Sequence, residues 1–198
     1  MLLKTRLFYL FMSWLSAGLI YFGSSFFTSN SWIVPESWVD TLIPFSPSGI
    51  WLYLLFYVYI PFAFITSSET KVRTMSLAFI LTSFISGILF ISFPSSLHYP
   101  EFEVNGISSY CLNFVSTNDT PHNCFPSMHA SLITISTVAL WDNAKKIRSF
   151  SYLFLTIAMY YAIIQVRRHV FIDLAAGIGL ALVVWSFSIR LLKNKLNQ

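Results

Sequence analysis

The sequence predicts an all-α integral membrane protein of six transmembrane helices. Three observations carry this. Of 198 residues, 56% are hydrophobic and only 10% are charged, against about 25% charged in an average soluble domain. The apolar residues fall in runs of about 20, and a helix of that length matches a hydrocarbon core about 30 Å thick. Strict alternation of apolar and polar residues, the mark of a membrane β-barrel, is absent. Backbone groups in lipid must be satisfied within their own segment, so helices are the natural spans.

The spans follow in order. The first covers residues 7–27, behind a short basic start containing Lys4 and Arg6. That start would also suit a signal peptide, but the apolar run exceeds a usual signal core and lacks a clear small-x-small cleavage site. A polar and aromatic stretch occupies 28–49. The second span covers 50–66 and the third 74–93, and a long polar stretch occupies 94–125. The fourth span covers 126–141, the fifth 150–166 and the sixth 170–192. No repeat or low-complexity linker divides the chain, so residues 1–198 form one domain.

Charge gives an orientation. With both termini in the cytoplasm, the inner segments hold Lys4, Arg6, Lys71, Arg73, Lys145, Lys146, Arg148, Arg190, Lys193 and Lys195, all but two of the 12 basic residues. Such a bias sets topology. The net charge of +4 does not point to nucleic acid, because the cations sit at span ends and are not gathered with aromatics on a polar face. The two outer cations are Arg167 and Arg168, directly before His169. They oppose the topological bias, and either binding of an anionic head group or anchoring at the lipid interface would account for them. Cys111 and Cys124 both fall in the outer stretch, where an oxidising exterior would permit a structural disulfide; two free thiols are the alternative.

Two constellations carry chemistry, and the topology puts both at the outer face. His169 and Asp173 are four residues apart at the start of the sixth span, a spacing that puts them on one helix face. A carboxylate there accepts the Nδ1 proton of the imidazole and leaves Nε2 as nucleophile or base. Asp173 is the only acidic residue within the apolar part of a span, and such residues point to function. Pro126-Ser127-Met128-His129 opens the fourth span. Proline suits a first helical position, the N–H groups and dipole of a helix start favour phosphate, Ser127 adds a hydroxyl, and His129 could protonate a leaving alkoxide. Together these form a phosphoryl-transfer set. A metal site built on two His and one Asp is the competing chemistry. His98 and His122 read as interfacial polar residues.

These motifs resemble those of the type 2 phosphatidic acid phosphatase and vanadium haloperoxidase superfamily, in its membrane lipid-phosphatase branch. The family's Pro-Ser-x-His matches Pro126 to His129, its His-x-x-x-Asp matches His169 to Asp173, and Ala175-Ala176-Gly177 fits its small-residue continuation. The resemblance implies six spans, His169 as a nucleophile forming a phosphohistidine, Asp173 orienting it, His129 as general acid, and no metal or other cofactor; Ser127, Arg167 and Arg168 are candidate substrate contacts from the residues themselves, the two arginines being out of register with the family's motif. The resemblance also implies a phospholipid or lipid phosphate as substrate. An outward site and small size suit a bacterial inner membrane. Two departures stand out. The family's first motif carries Lys and Arg-Pro near the outer end of the third span, whereas residues 93–100 here hold neither Lys nor Arg. The Arg expected six positions before the third-motif His is Ile163. The missing first motif, and the segment from Asp40 to Pro47, are similar to inositol phosphorylceramide synthase and sphingomyelin synthase-like phosphotransferases. Lipid phosphate hydrolysis, head-group transfer to an alcohol, and a non-catalytic lipid-binding or transport protein of the same fold are therefore the three expectations.

Overall fold

A computed structural model describes residues 1–27 and 30–196, side chains through residue 194. The fold is almost entirely helical. The helices are α1 (Leu3–Ser25), α2 (Trp38–Leu42), α3 (Ile50–Leu54), α4 (Phe56–Thr66), α5 (Glu69–Ser92), α6 (Ile107–Asn118), α7 (Met128–Leu140), α8 (Lys146–Gln165) and α9 (Phe171–Leu196). A 3-10 turn at Pro47–Gly49 leads into α3, and α3 runs almost straight into α4. Thr28, where the first polar stretch begins, lies outside the described residues, as does the side chain of Lys195.

Five described helical stretches are long and apolar enough to cross a membrane: α1, Pro47–Thr66, α5, α8 and most of α9. The fourth expected span is shorter than the others. α7 has 13 residues, about 20 Å at 1.5 Å per residue. Its position explains its composition. α7 lies at the centre, packed by α4, α5, α8 and α9, and all of its residues except His129 and Val138 are buried. Its hydroxyls are satisfied by its own backbone: Ser131, Thr134, Ser136 and Thr137 each donate to the carbonyl four residues back. α1 is the opposite case. It packs on α5 and buries only Ser13, Ala17 and Ser24, while Leu7, Phe8, Phe11, Leu15, Leu19 and Phe22 stand exposed. An apolar face of that extent is compatible with a lipid surround.

The two polar stretches fold over one end of the bundle. β1 (Trp32–Ile33) and β2 (Ser95–Ser96) pair in parallel. Ser95 then holds the third segment: its N–H donates to the His122 carbonyl, its carbonyl accepts from Cys124 N–H, and its Oγ accepts from Phe125 N–H at 2.7 Å. Val34, Leu97, Cys124 and Val170 form a small apolar cluster beneath this lacing. The start of α7 and the start of α9 meet under the cap.

The expected bridge between Cys111 and Cys124 is not formed, and both are free thiols. Cys124 is buried in the cap cluster, with the Tyr99 hydroxyl 3.5 Å from its sulfur, whereas Cys111 sits half-buried on α6 against the main core. Packing in two separate clusters leaves the bridge no role. Pro126 also differs from expectation. Ser127 is the N-cap of α7 and Met128 its first residue, so the proline precedes the cap, joined to Phe125 by a cis peptide bond.

Candidate active site

Two helix starts are fastened together before any side chain chemistry is considered. Ser127 N–H donates to the Asp173 carbonyl at 3.0 Å, and Ser131 Oγ donates to the Gly177 carbonyl at 2.8 Å. A Cβ at Gly177 would collide with the Ser127 carbonyl oxygen, so glycine is what lets the α9 backbone approach α7 this closely. The glycine of the small-residue continuation after His169 is thereby explained by packing, whereas Ala175 is exposed.

On this crossing stands a chain of four side chains. Asp173 accepts from His169 Nδ1 at 2.9 Å, His169 Nε2 lies 3.2 Å from His129 Nδ1, and His129 Nε2 lies 2.9 Å from the Tyr53 hydroxyl. Asp173 also accepts the Val170 N–H at 2.9 Å through its other oxygen. Both carboxylate oxygens are thus engaged, and Asp173 is fully buried. With Asp173 ionised, the hydrogen-bond pattern assigns each proton. His169 donates through Nδ1, so its Nε2 carries the lone pair and accepts from His129 Nδ1–H; His129 Nε2 then accepts from the Tyr53 O–H. The sequence expectation that Asp173 sets the tautomer of His169 matches this geometry. The sequence did not show that His129 covers Nε2 of His169.

Ser127 and the arginines divide into different roles. Ser127 is fully buried, and its Oγ accepts from Ala130 N–H at 3.2 Å as an N-cap. Arg167 departs from the expected substrate contact. It adopts φ 53, its guanidinium donates to the carbonyls of Ile164, Asp40 and Ile43, and Glu36 lies 3.6 Å away. It clips the α2 segment to the α8–α9 turn, and its donors are spent on backbone. Arg168 turns the other way. It is 6% exposed, pairs with Asp119 at 2.5 Å, reaches Ser116 Oγ at 3.3 Å and lies over the Tyr99 ring. Its Nε has no partner among the described residues, an uncommon state for a buried donor.

The electrostatics of the cap follow from that pair. Burial pushes the Asp119 carboxyl up, but the charge of Arg168 and hydrogen bonds from Tyr21 and Arg168 outweigh it and hold the carboxyl below the usual range. Burial pushes the Cys124 thiol up to about 12, leaving it inert as a nucleophile. The Tyr99 hydroxyl is raised by burial and by neighbouring Cys124.

Compared with family models, curated proteins and solved structures, the chain matches none. The site is therefore read from its own geometry. Beside His129 a cavity of about 330 Å3 opens between α1, α3, α4, α6 and α7. Trp14, Tyr21, Tyr53, Phe56 and Tyr57 supply aromatic walls, and Asp119 and His129 are its ionisable groups. Among the described residues no group of three or more His, Cys, Asp and Glu side chains is disposed to hold a metal ion. His98 is exposed in the cap, and His122 Nδ1 lies 3.2 Å from Ser31 Oγ.

Sequence reasoning missed Tyr53, Asp119 and Asp40. Asp40 is fully buried; it accepts from Phe171 N–H at 2.8 Å and from Ser37 N–H at 2.7 Å, so it caps the start of α9 from a distant loop. Its one signal was an acidic residue three positions after a serine, the spacing of a capping box. Tyr53 gave no signal among the chain's 10 tyrosines.

Proposed function

We propose that the chain is a six-span membrane enzyme of the type 2 phosphatidic acid phosphatase superfamily, which hydrolyses a lipid phosphate through a phosphohistidine at the outer face. One observation carries this reading: the Asp173–His169–His129 chain, in which a buried carboxylate fixes Nδ1–H of one histidine and leaves its Nε2 facing a second. In the reaction a proton carried in on the substrate's monoanionic phosphate makes His129 an imidazolium, His169 Nε2 attacks phosphorus, the ester P–O bond breaks, and the leaving alkoxide takes that proton from His129. Water then attacks phosphorus while His129 takes its proton, and the P–N bond breaks with its electron pair returning to His169 Nε2, which yields phosphate; proton loss from His129 to the departing phosphate restores both histidines. Turnover requires His129 to withdraw from Nε2, and the adjoining cavity gives its ring somewhere to go.

Arg168 is the cation for the phosphate in this scheme. Asp119 holds it in the resting site, and an incoming phosphate oxyanion takes the place of that carboxylate. This replaces the Lys and Arg absent from residues 93–100. The charge bias supports termini on the cytoplasmic side, an outward site and small size suit a bacterial inner membrane, and α7 is the shortened fourth span of six in this reading.

Head-group transfer to a lipid hydroxyl is the second reading. It is favoured by the aromatic walls beside His129, which suit an alcohol acceptor and exclude water. Purified protein in detergent, given lipid phosphates with and without a lipid alcohol, tests both. Phosphate release abolished by His169→Ala supports hydrolysis. New phospholipid formed only with the alcohol supports transfer. Turnover that survives His169→Ala rejects both, and a folded protein inert with every substrate points to a non-catalytic lipid binder.

A further inference from the structure

A second cavity lies at the end of the bundle away from the histidines. It encloses about 1000 Å3 between the α4–α5 turn and helices α7, α8 and α9. α7 enters it with its last turns, and α8 and α9 form two of its walls. Its chemistry is divided. At its mouth stand Lys71, Arg148 and Lys193, three cations against the single carboxylate of Asp142. Lys71 donates to the Trp141 carbonyl, and Arg148 lies 3.2 Å from Asp142. Deeper in, α9 presents an apolar stripe of Leu182, Trp185 and Ile189 at helical spacing. Leu182 is 47% exposed while also lining the cavity, and its neighbour Val183 is 68% exposed. The cavity therefore opens sideways onto the apolar flank of the bundle.

Cations at the mouth and an apolar stripe leading to the lipid-facing flank fit one kind of molecule. We propose that this cavity binds a single anionic phospholipid, its head group held by Lys71, Arg148 and Lys193 and its acyl chain laid along Leu182, Trp185 and Ile189. A soluble anion would leave the apolar stripe unused, and a zwitterionic lipid would leave the cations uncompensated. The site rests on the membrane setting alone and is independent of the chemistry at His169.

Trp141 and Trp185 both line the cavity, so fluorescence reads its occupancy. The full chain in detergent micelles is titrated with phosphatidylglycerol brominated on its acyl chains, and separately with phosphatidylcholine brominated in the same way. Quenching should occur at markedly lower mole fraction with the anionic lipid. Trp185→Phe should remove much of that quenching, Lys193→Gln and Arg148→Gln should each weaken it about fivefold, and excess inorganic phosphate should leave it unchanged. Lys71→Gln should act likewise; since Lys71 also holds the Trp141 carbonyl, the half-exposed Arg148 and exposed Lys193 carry the test if that variant does not fold. Equal quenching by the two lipids, quenching indifferent to Trp185→Phe or to loss of the cations, or displacement by inorganic phosphate would each overturn the proposal, the last by assigning the site to a soluble anion.

Discussion

Replacing Asp173 by asparagine separates the catalytic role proposed for this residue from its structural one. Asp173 uses its two oxygens differently, one accepting His169 Nδ1–H and the other Val170 N–H, both at 2.9 Å. An amide has one acceptor. If its oxygen keeps Val170, its NH2 faces His169 and forces the lone pair onto Nδ1. The opposite orientation would set NH2 against the Val170 N–H, two buried donors face to face, at a cost of about 1–3 kcal/mol. The first arrangement wins. The rest of the chain can follow without loss, because each link inverts: His169 Nε2–H donates to His129 Nδ1, and His129 Nε2–H donates to the Tyr53 oxygen. The fold gives up only the surplus of a charged over a neutral hydrogen bond, about 1–2 kcal/mol. The proposed nucleophile gives up everything, since Nε2 now carries a proton. A wrong tautomer costs about 10,000-fold in a serine–histidine–aspartate triad, and a loss of about 1,000-fold or more is expected here. Phosphate release from a lipid phosphate, with thermal unfolding in the same detergent, checks the two halves together. Nitrogen chemical shifts of labelled histidine would show the tautomer directly. Asp173→Asn that retains turnover within tenfold of the parent, or that fails to fold, would refute the reasoning.

Three further outcomes follow from other parts of the structure. Gly177→Ala should drive α9 from the Ser127 carbonyl and cost about 1–3 kcal/mol, seen as a lower unfolding temperature together with reduced turnover. A variant as stable and active as the parent would show that the crossing is looser than described. Maleimide at pH 7.5 should label Cys111 and spare Cys124, whose thiol is pushed up to about 12 by burial, and both should label after denaturation in detergent; mass spectrometry of the peptides reads this. Asp119 has a depressed carboxyl, so its pairing with Arg168 contributes fully above the ordinary carboxyl range and is lost only as pH falls below about 4. Unfolding temperature should therefore drop more steeply on acidification below that point in the parent than in Asp119→Asn, and parallel curves would count against a stabilising pair.

What the sequence disclosed, and what it did not, divides along a physical line. His169 and Asp173 were legible as a pair because a helix fixes the relation of residues four apart. Pro126-Ser127-Met128-His129 marked a helix start for a similar local reason, although the cap proved to be Ser127, one position after the proline. Long apolar runs gave α1, α5, α8 and α9 to within a few residues. The polar stretches did not yield to this logic. Their structure comes from pairings far apart in the chain, such as Trp32 with Ser95 and Asp40 with Phe171, which no local period encodes. Adjacent Arg167 and Arg168 show the limit most plainly. Both read as outer cations, yet a positive φ at Arg167 sends one side chain onto backbone carbonyls and the other to Asp119. The partner that distinguishes Arg168 lies 49 residues away.

The fastening of α7 to α9 has a bearing on biosynthesis. The Ser131 hydroxyl finds its second acceptor at Gly177, 46 residues further on, and Ser127 N–H likewise waits for Asp173. At about 5–20 residues per second, the ribosome needs about 2–9 s to deliver the second element after the first. Throughout that interval the central helix packs against α4 and α5 but lacks α9, and His129 waits without His169 and Asp173. A chain cut short before residue 173 would lack both fastenings and, under the proposed function, would be inert.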